Sequence, residues 1–381
     1  MKPALFSLLF VAQLVCFPAF ARKPAKTITI THHRTLETIM ILRAISPDDY
    51  FLSRVKPESI GRPMIYKARG YFNVYKDHPA VTETQRLMDE AKDIGGQLFQ
   101  GVLYAEELPG TAIKEDLADP MWEGKEGVLK NYMRLLGDFY TKANVAAFLK
   151  DNESFYTGAA KEASKYVNSS VIAAMEDYTG KTNKAYFMYL LPMSPHGWGF
   201  SATTGTKGAY IQHAIISPVQ NIKWDGISPL TEFGFDGNEA ADHYRELVVH
   251  EYMHSFITNT IMHDSFRAAI NKYDSLFTPA LDSAMAEQAY AQWWDFVNEY
   301  LVRLGHIRVT ATYDTAQARA MKELNAKEYK FVLLDEGERL MRQYESNRKK
   351  YKTIDAFLPV MVGAFSNYSR AGIDKELHCT E

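Results

Sequence analysis

The sequence predicts an α+β fold that is predominantly helical and contains a small antiparallel sheet. Apolar residues recur at helical spacing in most of the chain after residue 80. Short apolar runs bounded by turn residues occur near the N-terminus and between residues 184 and 217, as expected for strands. A third observation concerns chemistry, because His250, Glu251 and His254 lie together within one predicted helix.

The composition and net charge limit the kinds of molecule that the protein is expected to bind. The 381 residues are 46% hydrophobic and 23% charged, which is typical of a folded globular protein. The 43 basic residues nearly balance the 46 acidic residues, so the net charge is −3. Nucleic acid and anionic membrane surfaces are therefore not expected as main partners.

The first 21 residues have the pattern of a cleaved signal peptide. Lys2 supplies a positive charge, an apolar run extends from Ala4 to Phe17, and small residues at Ala19 and Ala21 suit a cleavage site. The run is shorter than the ~20 apolar residues that a membrane-spanning helix needs. We therefore expect an exported protein, secreted or periplasmic after cleavage near Ala21, without stable membrane insertion.

The cysteines exclude a disulfide framework. Cys16 lies in the predicted leader, so Cys379 would be the one cysteine of the mature chain. A single cysteine makes neither an intramolecular disulfide nor a cysteine-based metal site. The core, a metal held by other side chains, or both must then stabilise the protein. We expect residues 22–381 to form one domain; a finer division would separate a helical lobe (22–180) from a metal-site lobe (181–381).

The first elements after the leader are a strand and several helices. Residues 27–31 alternate between apolar and polar, which predicts a strand, and residues 36–45 follow as a short helix. Helical periods at Val128–Phe148 and Ala159–Tyr178 predict longer helices in the N-terminal half.

Two strands are predicted between residues 184 and 217. Ala185–Leu191 is apolar and aromatic and ends before a proline, and Ala209–Ile216 is a second apolar run. Turn residues at 194–199 and 205–208 separate the two runs. For Ala209–Ile216 we favour a core strand; the alternative is an edge strand that pairs with an extended peptide.

The C-terminal half is predicted to be helical. A proline-free stretch runs from Asn238, a suitable N-cap, to Leu276. A further helix is expected over residues 281–304, and one or two charged helices are expected over residues 314–350. Residues 354–368 form a final apolar segment with a proline at its start or at a kink.

His250, Glu251 and His254 form an HExxH motif in this proline-free stretch. Residues four apart lie one above the other on a helix face, so both imidazoles can reach one metal ion. Glu251 can point at the water in the open metal position, which suits a proton acceptor rather than a ligand. The alternative, two core histidines that make hydrogen bonds, does not account for the glutamate between them.

A catalytic zinc ion needs a third protein ligand. The extended motif that continues with Gly and His is excluded, because Ile257 and Thr260 occupy those positions. Glu299 is the first candidate, because its predicted helix is apolar on two sides and a metal would compensate the burial of its carboxylate.

Other residues remain as alternatives to Glu299. Glu287 ranks second. His263 and Asp264 rank third, because they follow the motif so closely that the helix would have to break. The alternative role for Glu299 is structural: its carboxylate would form an ion pair with Arg303 one turn later and bind no metal.

The motif and the later Asn-Glu pair resemble the gluzincin group of zinc metallopeptidases. More closely, the chain resembles an uncharacterised family of exported bacterial proteins that are predicted to be such peptidases. The segments that carry this resemblance are spread over most of the mature chain: Tyr71–Val81, Leu247–Ile257, Asn298–Arg303 and Tyr344–Tyr351.

The resemblance implies a zincin-like helix pair and a bound Zn²⁺ ion. It assigns His250, His254 and Glu299 as the zinc ligands and Glu251 as the general base. It does not imply a particular substrate. A peptide or protein substrate is expected from the predicted peptidase reaction, without a cleavage specificity.

Gluzincins often use a Tyr or a His to stabilise the oxyanion of the reaction. His306 is the first candidate here, and Tyr300 and Tyr244 are the others; the alternative for His306 is a loop histidine without a catalytic role. Arg303, one turn beyond Glu299, is expected to orient that glutamate or to hold a substrate carboxylate.

The sequence therefore predicts an exported zinc metallopeptidase that hydrolyses peptide bonds through a zinc-activated water. The first alternative is a non-catalytic, zinc-containing secreted protein that binds a peptide or a glycan. A fourth protein ligand would favour that alternative, because structural zinc sites are closed. The second alternative is a zinc hydrolase that acts on a non-peptide bond, which an apolar or sugar-shaped cleft would favour.

Overall fold

The computed structural model describes residues 26–47, 62–91, 96–114, 122, 124–167, 169–194, 199–206, 208–236, 241–288 and 290–379. The predicted signal peptide, the N-cap candidate Asn238 and most of the turn cluster at 194–199 lie outside these ranges. The described strands are β1 (Ile28–Thr31), β2 (Ala185–Leu190), β3 (Gly199–Thr204) and β4 (Ile211–Ile216).

The described chain is mostly helical. The helices are α1 (Arg34–Ile45), α2 (Pro63–Phe72), α3 (Pro79–Ala91), α4 (Gly96–Leu103), α5 (Glu126–Lys142), α6 (Val145–Asp151), α7 (Glu153–Ser164), α8 (Ser169–Thr179), α9 (Ala241–Ile261), α10 (Asp264–Asn271), α11 (Pro279–Ala286), α12 (Trp293–Thr310), α13 (Thr315–Lys327), α14 (Leu334–Ser346), α15 (Leu358–Gly363) and α16 (Arg370–Cys379). Within the described ranges, none of these helices combines the length and the apolar character needed to cross a membrane.

The strands form one mixed sheet in the order β1-β2-β4-β3. β1 pairs with β2 in parallel, β2 pairs with β4 in parallel, and β3 pairs with β4 antiparallel. The mostly helical α+β class is confirmed, but the expected antiparallel sheet is wrong for two of the three strand pairs. Helices α1 to α8 separate β1 from β2, and so long a connection allows the second strand to run in the same direction.

The position of β4 agrees with the favoured prediction for Ala209–Ile216. β4 lies inside the sheet between β2 and β3, and β3 and β1 are the two edge strands. The sequence predicted no strand at Gly199–Thr204, because its small and polar side chains give little apolar alternation. This segment becomes a strand by pairing with β4.

Several predicted helices are interrupted. The stretch at 128–148 divides at Asn144, whose φ of 53° is left-handed and separates α5 from α6. The stretch at 159–178 divides between α7 and α8, and the stretch at 281–304 divides between α11 and α12. Residues 314–350 form two helices, α13 and α14, as the sequence allowed. Helix α15 has a proline in its first turn, also as predicted.

Helix α9 lies between the sheet and α12. On the sheet side, the rings of Tyr252 and Tyr186 meet with their centroids 5.4 Å apart. On the other side, Gly305 of α12 approaches so closely that an added Cβ would lie 2.9 Å from Cδ1 of Ile257. The missing side chain at Gly305 thus allows the close helix contact on which the candidate site is built.

Candidate metal centre

The side chains of His250, His254 and Glu299 converge where α9 meets α12. Nε2 of His254 lies 3.2 Å from Oε1 of Glu299, and Nε2 of His250 lies 3.5 Å from Oε2 of Glu299. One ligand atom from each residue lies within 4.8 Å of the other two. Among the described residues, no other trio of His, Cys, Asp or Glu side chains has this spacing.

The local sequence explains this convergence. His250 and His254 are one turn apart on α9, and their ring centroids are 4.9 Å apart. Glu299 projects from α12 between Phe296 and Val302, which are fully buried and fix that face of the helix in the core. The carboxylate of Glu299 is itself buried, so it needs compensating charge or hydrogen bonds.

The spacing of these atoms suits a tetrahedral cation. Zinc bonds of about 2.0–2.1 Å to nitrogen and oxygen place neighbouring ligand atoms about 3.3 Å apart. The observed separations of 3.2 and 3.5 Å are close to this value. Oε2 of Glu299 is buried and makes no hydrogen bond, and two imidazoles with one carboxylate are a donor set of catalytic zinc sites. The residues therefore fit Zn²⁺.

Hydrogen bonds on the far side of His254 define its tautomer. The Thr258 hydroxyl donates to Oδ1 of Asn298 at 2.7 Å. Its oxygen therefore accepts from Nδ1 of His254, 3.1 Å away. With the proton on Nδ1, the lone pair of Nε2 points into the cluster, as a metal ligand requires.

Arg303 lies against the second oxygen of Glu299. Its Nε is 3.4 Å from Oε2, and its NH1 donates to Oδ1 of Asn325 at 2.6 Å. The guanidinium also lies over two aromatic rings, 4.9 Å from the centroid of Tyr329 and 4.5 Å from that of Phe331. Of the two roles expected for Arg303, this geometry favours orienting Glu299 over holding a substrate carboxylate.

Burial and the mutual charges determine the protonation states of the cluster. Burial lowers the pKa of His250 to about 3. Burial also lowers the pKa of His254, but the Glu299 carboxylate outweighs it and raises that pKa above its usual value. Burial alone would raise the pKa of Glu299, but His254 and His250 hold it well below the usual range. Neutral His250 and anionic Glu299 are the forms that bind a metal, which would displace a proton from His254.

His250 of the cluster lines a cleft of about 610 Å³ between α9, α12 and α13. Glu251 lies in the cleft wall beside Gly199 of β3. Burial raises the pKa of Glu251 to about 7, which suits a group that accepts and returns a proton near neutral pH. The opposite wall is formed by α13 and includes Ala320, Met321 and Leu324.

His306 also lines the cleft, and its ring centroid is 5.8 Å from that of His250. Nε2 of His306 lies 2.6 Å from Oε2 of Glu246, so these two atoms share a proton in a hydrogen bond. Glu246 accepts a second hydrogen bond from the hydroxyl of Thr310 at 2.9 Å. His306 is therefore a buried helix residue with a fixed partner, and not a residue of a loop.

The remaining candidates from the sequence lie outside the cleft wall. Tyr300 is buried and donates to the carbonyl of Leu333 at 3.0 Å, and Tyr244 is fully buried. The alternatives to Glu299 are exposed and do not belong to the ligand cluster: Glu287, His263 and Asp264.

Tyr290 lines the cleft and is not among the site residues that the sequence predicts. Its hydroxyl oxygen accepts from NH2 of Arg303 at 3.4 Å, so its own proton can be donated to another group. Burial raises the pKa of Tyr290, and the charge of Glu299 raises it further. Tyr290 lies before α12, outside any motif, and no pattern in the sequence marks it.

Fold and site together define a mostly helical α+β protein with a His, His, Glu cluster beside a cleft. Residues 48–364 match the family model described as Domain of unknown function (DUF4932), and the chain belongs to this family. No curated protein and no solved structure matches the chain. The family description names no activity, so the site is the basis of a functional proposal.

Proposed function

We propose that this protein is an exported, zinc-dependent metallopeptidase of the gluzincin type. The observation that carries the proposal is the convergence of His250, His254 and Glu299 beside Glu251 at the wall of a cleft. Three protein ligands leave a fourth position for water or substrate. Among the described residues no fourth ligand joins the cluster, so the feature that would favour a closed structural site is missing there.

The residues around the cluster have distinct roles in the proposed hydrolysis. When bound, zinc would supply a Lewis acid that lowers the pKa of a water molecule and polarises a peptide carbonyl. Glu251 accepts the proton of the attacking water and returns it to the leaving amine. Thr258 fixes the ring of His254, and Arg303 holds the carboxylate of Glu299.

Negative charge develops on the substrate oxygen during the attack, and a hydrogen-bond donor would stabilise it. Tyr290 and His306 both line the cleft. Nε2 of His306 is engaged by Glu246, whereas the hydroxyl of Tyr290 accepts from Arg303 and can donate its own proton. We therefore rank Tyr290 first and His306 second for this role.

A peptide substrate is favoured by the strand at the cleft. Gly199 belongs to the edge strand β3 and lies against Glu251, so an extended backbone could pair with β3 next to the proton acceptor. A cleft for a sugar or a small apolar ligand would not need an open strand edge at this position.

The direct test is cleavage of a quenched fluorescent peptide library by the purified protein. We expect the wild type to cleave peptides, a chelator to abolish the cleavage, and added zinc to restore it. Glu251→Gln should retain zinc and lose cleavage by about 100-fold or more. Glu287→Gln, which neutralises an exposed carboxylate outside the cluster, is the control and should behave like the wild type. Full activity of Glu251→Gln, or no cleavage by the zinc-loaded wild type, would contradict the proposal.

A further inference from the structure

The outer edge of strand β3 is divided into two halves. In an antiparallel pair, the N–H and C=O of one residue point to the same side, and that side alternates along the strand. The N–H and C=O of Thr203 point away from β4 and form hydrogen bonds on that side. Ser201 and Gly199 therefore present their N–H and C=O groups to that same outer side.

Gln100 of α4 covers Thr203 as a neighbouring strand would. Its Oε1 accepts from the Thr203 N–H at 2.9 Å, and its Nε2 donates to the Thr203 carbonyl at 2.8 Å. The hydroxyl of Tyr104 donates to the same carbonyl at 3.0 Å. Phe99 and Phe200, with ring centroids 5.4 Å apart, hold α4 against the strand. Both hydrogen-bonding positions of a strand pair are thus occupied at Thr203.

The other half of the edge lies at the cleft. Gly199 lines the cleft, and its Cα faces Glu251 of α9. No residue in the described ranges makes a hydrogen bond to the outward backbone groups of Gly199 or Ser201. Among the described residues, the half of the edge without such a partner is therefore the half beside the proton acceptor.

We propose that an extended peptide adds to β3 along Gly199–Ser201 and that Gln100 ends this binding site at Thr203. The inference rests on the proposed peptidase function and narrows its substrate class. The segment Gly199–Ser201 is three residues long, about 10 Å at roughly 3.3 Å per residue. On one side of the scissile bond it can therefore pair with about three substrate residues. A longer peptide must turn away from β3 where α4 covers Thr203. Substrates that end within about three residues of the scissile bond on that side gain all the pairing that β3 offers.

The first experiment measures amide hydrogen exchange in the full chain carrying Glu251→Gln, loaded with zinc, with and without a saturating mixture of random hexapeptides. The Thr203 amide should be protected in both states, because Gln100 already accepts from it. The amides of Gly199 and Ser201 should gain protection when peptides are added. Rapid exchange at Thr203 without peptide, or no added protection at Ser201, would overturn the inference.

The second experiment measures peptide affinity against length in the same background. One series is extended at its N-terminus and a second series at its C-terminus. One of the two should stop gaining affinity after about three residues. When Gln100→Ala is combined with Tyr104→Phe, which frees the Thr203 carbonyl as well, the fourth and fifth residues should add at least about fivefold. Gln85→Ala, which removes a glutamine that bonds Asp89 on the surface of α3, is the matched control. Identical length profiles with and without the Gln100 and Tyr104 substitutions would contradict the proposal.

The two proposals fail in different ways. If peptides protect Ser201 but the zinc-loaded wild type cleaves none of them, the peptidase function fails and strand addition stands. If the wild type cleaves peptides with no length limit on either side, the peptidase function stands and the role of Gln100 fails.

Discussion

Gly199 of β3 lies so close to Glu251 of α9 that a methyl group at position 199 would stand 2.5 Å from Oε1 of Glu251. The same methyl group would lie 2.7 Å from Cγ and 2.8 Å from the carboxyl carbon, so the whole end of the side chain would have to move. Glu251 is buried and has little room for such a movement. The edge strand therefore helps to define the position of the proposed proton acceptor.

Gly199→Ala should displace Glu251 without removing a metal ligand. We expect zinc content to stay at the wild-type level and the rate of peptide cleavage to fall about 100-fold, because a displacement of about 1 Å at a reacting group can cost that much. Gly363→Ala is the control, since a Cβ there would meet no atom within 4 Å. Wild-type activity in Gly199→Ala would show that the position of Glu251 is not limiting.

Thr258→Val should weaken zinc binding. The valine has the shape of threonine but cannot accept from Nδ1 of His254 or donate to Asn298. Loss of such a supporting hydrogen bond costs about 10- to 100-fold in metal affinity, which competition with a chromophoric chelator can measure. Thr258→Ser keeps the hydroxyl and should stay near the wild type. Equal affinities for the valine and serine variants would rule out this role for Thr258.

Tyr290 and His306 can be separated as stabilisers of the substrate oxygen. Tyr290→Phe should lower kcat by about 100- to 1000-fold with unchanged zinc content, which is the range for loss of one such donor. His306→Gln should mainly lower the free energy of unfolding, because Glu246 would lose its buried imidazole partner. A normal kcat in Tyr290→Phe together with a large loss in a folded His306→Gln protein would reverse this ranking.

Glu37 of α1 should make stability fall as pH rises. Its side chain is fully buried, its Oε2 accepts from the Tyr156 hydroxyl at 2.6 Å, and burial raises its pKa from 4.5 to about 8. Between these two values the unfolded chain has lost the proton and the folded chain keeps it. The free energy of unfolding should therefore decrease by about 1.4 kcal/mol for each pH unit in that window.

The variant Glu37→Gln removes this titration. In urea unfolding at pH 5, 6, 7 and 8, its free energy of unfolding relative to the wild type should increase steadily with pH. Glu328→Gln, an exposed position at the end of α13, is the control and should keep a constant difference. A constant difference for Glu37→Gln as well would mean that Glu37 does not keep its proton in the folded protein.

The sequence predicted the parts of the site that depend on local spacing. His250, Glu251 and His254 lie within five residues of one helix, so helical geometry alone places the two imidazoles together. Glu299 was selected by the apolar faces of its helix, and the structure places it with the two histidines. Its assignment as a zinc ligand stays a prediction until metal is measured.

The parts that the sequence could not predict depend on contacts between distant segments. The strand at Gly199–Thr204 forms through pairing with β4, and its contact with Glu251 joins β3 to α9. The hydrogen bond from Thr258 to Asn298 spans 40 residues. The bonds between Gln100 and Thr203 span 103 residues. No local pattern of apolar or polar residues encodes such pairs, and the parallel direction of β2 depends on all the helices before it.

Elemental analysis of the purified protein determines whether His250, His254 and Glu299 bind one zinc ion. After reconstitution and removal of free metal, we expect about one zinc per wild-type chain, most of it lost in Glu299→Ala. Glu287→Ala, which removes an exposed carboxylate, should retain the wild-type amount. No zinc in the wild type, or a full complement in Glu299→Ala, would contradict the three-ligand site.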